Sequence, residues 1–188
     1  IMPYIHLPLQ SGSDRILKLM GRRYTKEEYI TLFKKMKERI PRVAITTDII
    51  VGFPGETDAD FKNTLDVVDT CQFDGAYTFI FSPREGTPAA KMKDETPLVE
   101  KEERLQILNQ KINAYSKESN EKCVGKTLPV LILGTSEKDA NKVYGYTDTM
   151  KLVNVEATKD TIGKIIPVTI TAAKSFSLDG KLAEEVKI

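Results

Sequence analysis

The sequence predicts an α/β domain built from repeated βα units, followed by a small antiparallel β-barrel. Up to about residue 121, apolar runs of strand length alternate with segments whose apolar residues recur at helical spacing. In the remaining 67 residues, short strand-like runs separated by turn residues replace that alternation. The first pattern is typical of a parallel sheet covered by helices, and the second of a small barrel or sandwich.

The clearest βα unit begins with residues 43–51, which are apolar and β-branched over the length of a strand. Such a run suits a strand that is buried on both faces of a parallel sheet. Gly52, Pro54 and Gly55 then break the regular structure and let the backbone approach a ligand. Because ligands of α/β proteins bind at the carboxyl ends of such strands, this turn is a candidate binding site. The alternative is a βα turn that binds nothing.

The other elements of the α/β part follow from capping signals and spacing. A strand is predicted over residues 4–9, and Ser13 is expected to cap the short helix after it. Two capping boxes are predicted at helix starts, Thr25 with Glu28 and Thr57 with Asp60. A third strand is predicted over residues 76–81. A long helix then begins after Thr96, with Pro97 at its first position. Its apolar stripe consists of Leu98, Leu105, Leu108, Ile112 and Tyr115.

Five short strands are predicted in the last part of the chain, over residues 128–133, 142–146, 151–155, 165–172 and 181–188. This part contains ten lysines, no arginine and eight acidic residues, a net charge of about +2. A bias this mild is typical of a solvated surface, and charge alone favours that reading over RNA binding. Small five-stranded barrels often bind oligonucleotides, which supports RNA binding by analogy only.

Composition excludes several classes of protein. The formal net charge is +1, so nucleic acid would have to bind at a local patch. No apolar run is long enough to cross a membrane, and no membrane partner is expected. Two cysteines, Cys71 and Cys123, are too few for a disulfide framework, which favours a cytoplasmic protein. His6, the only histidine, is interpreted as a satisfied core residue rather than a ligand.

Four motifs in the α/β part carry a resemblance to a known family. They are residues 6–14 (HLPLQSGSD), 20–25 (MGRRYT), 47–57 (TDIIVGFPGET) and 79–90 (FIFSPREGTPAA). Together they resemble the radical S-adenosylmethionine methylthiotransferases. They are most similar to the branch that methylthiolates isopentenyladenosine in tRNA (MiaB type). Residues from about 122 onwards resemble the TRAM domain that these enzymes append for RNA binding.

The resemblance implies a domain division and a set of cofactors. Residues 1–121 would be the C-terminal half of a partial (β/α)6, TIM-like radical SAM barrel, and residues 122–188 an OB-like TRAM domain. The chain opens inside a predicted strand, so we expect a fragment of a longer parent. That parent would use S-adenosylmethionine and two [4Fe-4S] clusters, each cluster held by three cysteines. Neither cysteine trio occurs here, so this chain alone is expected to hold no cluster and to be inactive.

The resemblance also implies which residues contact S-adenosylmethionine. Gln10 and Ser11 would lie near its ribose and methionine part. Its adenine would meet one strand at Asp48, Ile50 and Gly52, and the backbone of the next strand at Phe81 and Ser82. The general superfamily pattern GxIxGxxE would place glycine at position 48 and glutamate at position 55. This sequence has Asp48, Gly55 and Glu56 instead.

A tRNA anticodon stem-loop requires cations for its phosphates and aromatic surfaces for its bases. Candidate substrate-binding residues are Arg22, Arg23 and Arg84 in the α/β part, and Lys142, Tyr144, Tyr146 and Lys151 in the barrel. The alternative for Arg22 and Arg23 is pairing with carboxylates of the barrel.

The resulting hypothesis is a fragment of a tRNA methylthiotransferase that modifies C2 of N6-isopentenyladenosine next to the anticodon. One alternative is the sister branch, which modifies an aspartate of a ribosomal protein. The other is an RNA-docking fragment without activity of its own. Because the missing strands would leave an open sheet edge and an uncovered face, self-association of the fragment is also expected.

Overall fold

The computed structural model of the chain describes residues 1–136 and 142–183. Contacts divide the chain into two units, one of residues 5–115 and one that joins residues 1–4 to residues 116–188. The predicted domain boundary after residue 121 stays a prediction.

A sheet of three strands in the order β1-β2-β3 organises the α/β unit. The strands are β1 (Tyr4–His6), β2 (Ala44–Val51) and β3 (Gly75–Ile80). The helices are α1 (Asp14–Leu19), α2 (Lys26–Arg39), α3 (Asp58–Cys71) and α4 (Leu98–Glu121). The last residues of α4, from Ser116, are assigned to the second unit. β2 and β3 pair in parallel, from Thr46 opposite Gly75 to Val51 opposite Ile80.

β1 is shorter than the predicted strand over residues 4–9. Pro8 has no N–H to donate, and the N–H of Leu9 bonds to the Thr47 side chain at 2.9 Å rather than to a backbone carbonyl. The chain nevertheless stays beside β2, because Gln10 forms an isolated parallel bridge to Ile49.

The predicted helix starts are confirmed. The Ser13 hydroxyl accepts a hydrogen bond from the Ile16 N–H, and both capping boxes are present, Thr25 with Glu28 and Thr57 with Asp60. These signals could be found in the sequence because each involves residues at most three positions apart.

The core of this unit lies on one face of the sheet only. Its buried apolar residues come from β2, α2, α3 and α4, and they include Ile45, Ile49, Val51, Tyr29, Phe33, Val67, Val68, Leu108 and Ile112. The prediction that β2 is buried on both faces is wrong, because Thr46, Asp48 and Ile50 on its other face are only partly buried. Leu98 is 62% exposed and does not belong to the apolar stripe of α4, whereas Leu105 and Tyr115 pack against the core.

The second unit contains a closed barrel in the strand order β4-β5-β6-β8-β7. Its strands are β4 (Thr127–Thr135), β5 (Lys142–Thr147), β6 (Leu152–Glu156), β7 (Ile165–Ala173) and β8 (Leu178–Leu182). The interior is filled by apolar side chains, namely Val130, Ile132, Val143, Val153, Val155, Val168, Ile170 and Leu178.

Two details of the barrel differ from the prediction. The fifth strand is Leu178–Leu182 rather than residues 181–188, and residues 184–188 lie outside the described residues. The barrel is also not wholly antiparallel, because β6 and β8 pair in parallel.

Among the helices that the structure describes, none combines the length and the apolar character needed to cross a bilayer.

Candidate functional site

The carboxyl ends of β1, β2 and β3 meet at one edge of the sheet. The Gln10 N–H donates to the Asp48 carbonyl at 2.8 Å, and the Gln10 carbonyl accepts from the Ile50 N–H at 2.9 Å. On the other side of β2, the Phe81 N–H donates to the Val51 carbonyl at 2.9 Å. Gln10 adopts φ of +67°, the left-handed region, which turns the chain away from the sheet at this point. The sheet edge therefore brings together predicted cofactor residues from three separate loops.

Ser11 is fully buried at this edge, and its hydroxyl is engaged by the protein itself. It accepts a hydrogen bond from the Ser13 N–H at 3.2 Å and lies 3.5 Å from the Thr64 hydroxyl of α3. A Cβ on the next residue, Gly12, would lie 2.5 Å from the backbone of α3. This loop consists of small residues because it packs closely on α3. The Ser11 hydroxyl therefore stabilises the loop and is not free to bind a ligand.

Gly52, directly after β2, adopts φ of +68°, where side chains are strained. A Cβ there would lie 2.5 Å from Cγ of Lys101, whose stem is buried against the glycine. The Gly52 N–H donates to the Glu56 carboxylate at 3.0 Å. The absence of a side chain at position 52 is thus required by contacts within the chain.

Three apolar residues lie at this edge and are called the apolar shelf, namely Ile50 near the end of β2, Phe53 in the turn and Phe81 directly after β3. The rings of Phe53 and Phe81 meet edge to face with centroids 4.9 Å apart, and Phe53 is buried. Ser82 follows as an exposed residue, and among the described residues its backbone and hydroxyl have no hydrogen-bond partner. An adenine requires an apolar surface next to polar groups, and the predicted contact of these residues with the adenine of S-adenosylmethionine stays a prediction.

The uncovered face of the sheet carries a polar cluster that the sequence did not predict. His6 Nδ1 lies 3.0 Å from the Thr46 hydroxyl, and His6 Nε2 lies 3.3 Å from the Asp48 carboxylate. The His6 side chain is 35% exposed, so its interpretation as a core residue is wrong. Tyr77 and Phe79 of β3 are 61% and 50% exposed on the same unit. Asp48, a predicted cofactor residue, therefore already has His6 as its partner.

Asp60 joins the loop after β1 to the start of α3. Its carboxylate accepts hydrogen bonds from the Ser13 hydroxyl at 2.5 Å, the Thr57 N–H at 2.9 Å and the Arg15 guanidinium. Burial alone would raise the pKa of Asp60, but these donors hold it far below the ordinary range. The two loops that present Gln10 and Gly52 are thereby fixed to each other.

Arg104 of α4 holds the turn after β2 from the other side. Its guanidinium donates to the Glu56 carboxylate at 3.0 Å, to the Asp58 carboxylate at 2.8 Å and to Glu100. Burial alone would lower the pKa of Arg104, but the three carboxylates raise it above its ordinary value. Burial raises the pKa of Glu56 and outweighs the opposing effects of the Gly52 N–H and Arg104. Sequence reasoning missed Arg104, because a charged residue on an amphipathic helix normally faces solvent.

The predicted RNA-binding arginines are all exposed. Arg22 and Arg23 lie between α1 and α2, beside Tyr24, whose hydroxyl donates to the carbonyl of Leu9, in the loop after β1, at 2.9 Å. Arg84 follows β3. Among the described residues none of these arginines forms an ion pair, so the alternative pairing of Arg22 and Arg23 with carboxylates is not present there.

The predicted RNA-binding residues of the barrel divide into two groups. Lys142, Tyr144 and Tyr146 alternate with buried residues along β5, so they share its outer face. Lys142 lies 3.9 Å from Glu156. Lys151, in contrast, donates to the Ser119 hydroxyl at 2.9 Å and to the Asn120 side chain at 2.8 Å. The ammonium of Lys151 therefore has a structural role at the C-terminal end of α4.

The outer face of β5 continues into an apolar area. Leu131 of β4 lies between Tyr146 of β5 and Ile165 of β7 in the strand register, and both Leu131 and Ile165 are exposed. The barrel therefore presents aromatic and aliphatic side chains beside a cation, the combination that suits unstacked bases.

No group of three or more histidine, cysteine or acidic residues that could hold a metal ion occurs within residues 1–136 and 142–183. Cys71 is buried, and burial raises the pKa of its thiol to about 12.

Comparisons with known proteins match both parts of the chain. Residues 2–68 match the family model "Radical SAM superfamily", and residues 121–183 match the model "TRAM domain". The chain is 51% identical over 185 residues to a protein of Staphylococcus epidermidis named tRNA-2-methylthio-N(6)-dimethylallyladenosine synthase. It is 52% identical over 187 residues to a protein of the same name from Staphylococcus aureus. These alignments cover 98% and 100% of this chain but 36% of each relative. The chain thus spans about a third of the length of the curated relatives it matches.

Among solved structures, the fold is similar to that of coproporphyrinogen III oxidase from Escherichia coli, which is described as a radical SAM enzyme. The TM-score is 0.50 at 15% identity, and the match covers 85% of this chain and 47% of that one. A likeness at this identity concerns the fold alone. The matches therefore make residues 2–68 similar to the radical SAM superfamily and residues 121–183 similar to the TRAM domain.

Proposed function

We propose that this chain is a fragment of a tRNA methylthiotransferase that adds a methylthio group to C2 of N6-isopentenyladenosine next to the anticodon. The observation that carries the proposal is identity above 50% to two synthases named for this modification, along nearly the whole chain and through both of its parts. Such an enzyme would act in the cytoplasm.

The sheet edge supplies the cofactor site in this proposal. When bound, S-adenosylmethionine supplies the radical chemistry, and the residues of this chain bind and orient it. Ile50, Phe81 and Ser82 would receive the adenine through the apolar shelf and the free polar groups beside it. Gln10, Ser11 and Gly52 would act mainly by shaping the edge, since the backbone groups of Gln10, the Ser11 hydroxyl and the close contact of Gly52 are used within the chain.

Asp48 would act together with His6 in this site. The contact between His6 Nε2 and the Asp48 carboxylate fixes the direction of that carboxylate on the uncovered sheet face. An aspartate held in this way can accept a hydrogen bond from a ligand without changing its rotamer.

The clusters of the parent would be held by cysteines outside these 188 residues. The chain contains two cysteines, whereas three thiolates are needed for each cluster of this type. Cys71 is also a poor ligand, because its thiol is buried and its pKa is raised to about 12. The 188-residue chain alone is therefore predicted to be inactive.

Both units would contact tRNA. Exposed Arg22, Arg23 and Arg84 would bind phosphates of the anticodon stem-loop near the sheet edge. In the TRAM domain, Tyr144 and Tyr146 would stack with bases beside Lys142, whereas Lys151 would support the domain from within.

The uncovered sheet face supports self-association of this chain in isolation. Tyr77 and Phe79 expose large apolar surfaces there. Light scattering on a mass-verified 188-residue sample should show dimers or larger species at tens of micromolar. A clean monomer would contradict this prediction.

The test of the proposed function uses the longer protein that contains this chain, with reconstituted clusters. It is incubated with S-adenosylmethionine, a reductant and a sulfur source, and with either isopentenylated tRNA or the ribosomal protein. Mass spectrometry of nucleosides should show the methylthio product on tRNA, and tRNA without the isopentenyl group serves as a control. Modification of the ribosomal protein aspartate, with tRNA unchanged, would favour the sister branch instead.

A further inference from the structure

The guanidinium of Arg104 is buried among groups that surround the turn after β2. Its side chain is 5% exposed, and it also donates to the Glu56 backbone carbonyl at 3.2 Å. The guanidinium carbon lies 5.8 Å from the centroid of the Phe61 ring. Its Nε is buried without a hydrogen-bond partner among the described residues. The Nε without a partner is unfavourable, since a buried N–H that lacks an acceptor destabilises a fold.

Glu56 connects Arg104 to the turn through hydrogen bonds. One oxygen, Oε1, accepts both from Arg104 at 3.0 Å and from the Gly52 N–H at 3.0 Å. The Glu56 side chain is almost fully buried, and its own N–H donates to the Phe53 carbonyl at 2.8 Å. The carboxylate thus closes the turn from residue 52 to residue 56 and orients the peptide at Gly52.

Lys101 acts on the same turn one helical turn earlier in α4. Its stem fills the space where a Gly52 side chain would be, and its ammonium bonds to Asp94. Two buried cationic side chains of α4 therefore contact a turn that lies nearly fifty residues earlier in the chain.

The ion pair between Arg104 and Glu56 is weak evidence for stability, because apolar residues of similar volume often stabilise a fold as well as a buried ion pair or better. The ion pair instead fixes the orientation of the Glu56 carboxylate, since a carboxylate held by a planar guanidinium accepts the Gly52 N–H at a defined angle.

We propose that Arg104 is a positioning residue for the S-adenosylmethionine site. By holding Glu56 on the Gly52 N–H, it sets the left-handed turn at the end of β2, and with it the positions of Ile50 and Phe53 in the apolar shelf. The inference rests on the proposed function, because it assigns the adenine to this shelf. Arg104 acts through Glu56 and does not itself contact the cofactor.

The matched variants are Arg104→Gln and Lys111→Gln in the longer protein that contains this chain. Lys111 also lies on α4 and pairs with a carboxylate, at 2.7 Å from Asp69 of α3, but it makes no contact with the turn. Three quantities are measured for each variant: the S-adenosylmethionine Kd by calorimetry, the tRNA Kd, and the urea midpoint. Arg104→Gln should weaken S-adenosylmethionine binding at least tenfold and leave the tRNA Kd within twofold. Lys111→Gln should leave both constants within twofold, whatever its effect on the midpoint.

A folded Arg104→Gln protein that binds S-adenosylmethionine as tightly as the wild type would overturn the inference. If that variant does not fold, Arg104→Lys decides, because lysine keeps the charge but cannot reach three carboxylates from one planar group. Binding at least threefold weaker than wild type would then support the inference, and unchanged binding would overturn it. A wild-type protein that binds no S-adenosylmethionine would refute the proposed function itself, which separates the two failures.

Discussion

Replacing Asp60 with asparagine should destabilise the α/β unit and change its response to acid. The Asp60 side chain is 8% exposed, and its carboxylate accepts hydrogen bonds from Ser13, Thr57 and Arg15. Asparagine keeps one acceptor oxygen but loses the charge and the second oxygen. The change therefore weakens the capping box of α3 and the connection to the loop after β1 together.

The magnitude follows from these contacts. A helix cap contributes about 1 kcal/mol and a hydrogen bond to a charged group about 1.5–3 kcal/mol. The pair with Arg15 is discounted to about 0–1 kcal/mol, since the arginine side chain is half exposed. We expect Asp60→Asn to lower the free energy of unfolding by about 2–3 kcal/mol at pH 7.

Asp66→Asn is the control on the same helix. The Asp66 carboxylate is 52% exposed and 3.8 Å from Lys26, and its loss should cost at most about 0.5 kcal/mol.

The pH dependence has a defined sign. The pKa of Asp60 is lower in the folded state than in the unfolded state, where it is about 3.9. Its stabilisation is therefore fully present above that value and is lost as the pH falls towards the folded pKa. Urea unfolding followed by circular dichroism at pH 7, 5 and 3.5 measures the difference between wild type and Asp60→Asn. The difference should be constant from pH 7 to 5 and smaller at pH 3.5. A difference that is absent at pH 7, or that grows on acidification, would refute the reasoning.

Three further predictions concern other parts of the chain. Native protein should react with a thiol reagent at Cys123 but not at Cys71, whose thiol is buried with a pKa raised to about 12, and two fast thiols would contradict this. Gly52→Ala should cost about 2–4 kcal/mol in urea unfolding, from strain and overpacking against the Lys101 stem. Gly55→Ala, where a Cβ meets nothing within 4 Å, should cost only about 1–2 kcal/mol, and equal losses would argue against the packing term. Arg84→Ala should reduce the salt dependence of tRNA binding by about one unit in the slope of log K against log salt, and an unchanged slope would exclude a phosphate contact.

The elements that sequence reasoning predicted well are those specified locally. Ser13, Thr25 and Thr57 cap helices through residues at most three positions away, and all three were found. The turn at Gly52 was also found, because glycine and proline mark it in the sequence.

The elements that were missed depend on distant segments. Arg104 is buried because its partner Glu56 lies 48 positions earlier, and no local pattern distinguishes it from a surface arginine. The last strand was predicted to begin at residue 181 rather than at Leu178, because Asp179 and Gly180 resemble turn residues. In the barrel Gly180 is instead required in a strand, where a Cβ would lie 2.5 Å from Val168. The hydroxyl of Ser11 faces α3 for a similar reason, since only the packed fold shows which neighbour it meets.

The strand order of the barrel has a consequence for its synthesis. β8 is made last of the five strands, yet it lies between β6 and β7 and pairs with both. Until residue 182 has left the ribosome, β6 and β7 each carry an unpaired edge, and the interior valines of β6 have no neighbouring strand on that side. A premature stop before Leu178 would therefore remove the closure of the whole barrel rather than one strand, and would leave an aggregation-prone sheet for the quality-control machinery of the cell to degrade.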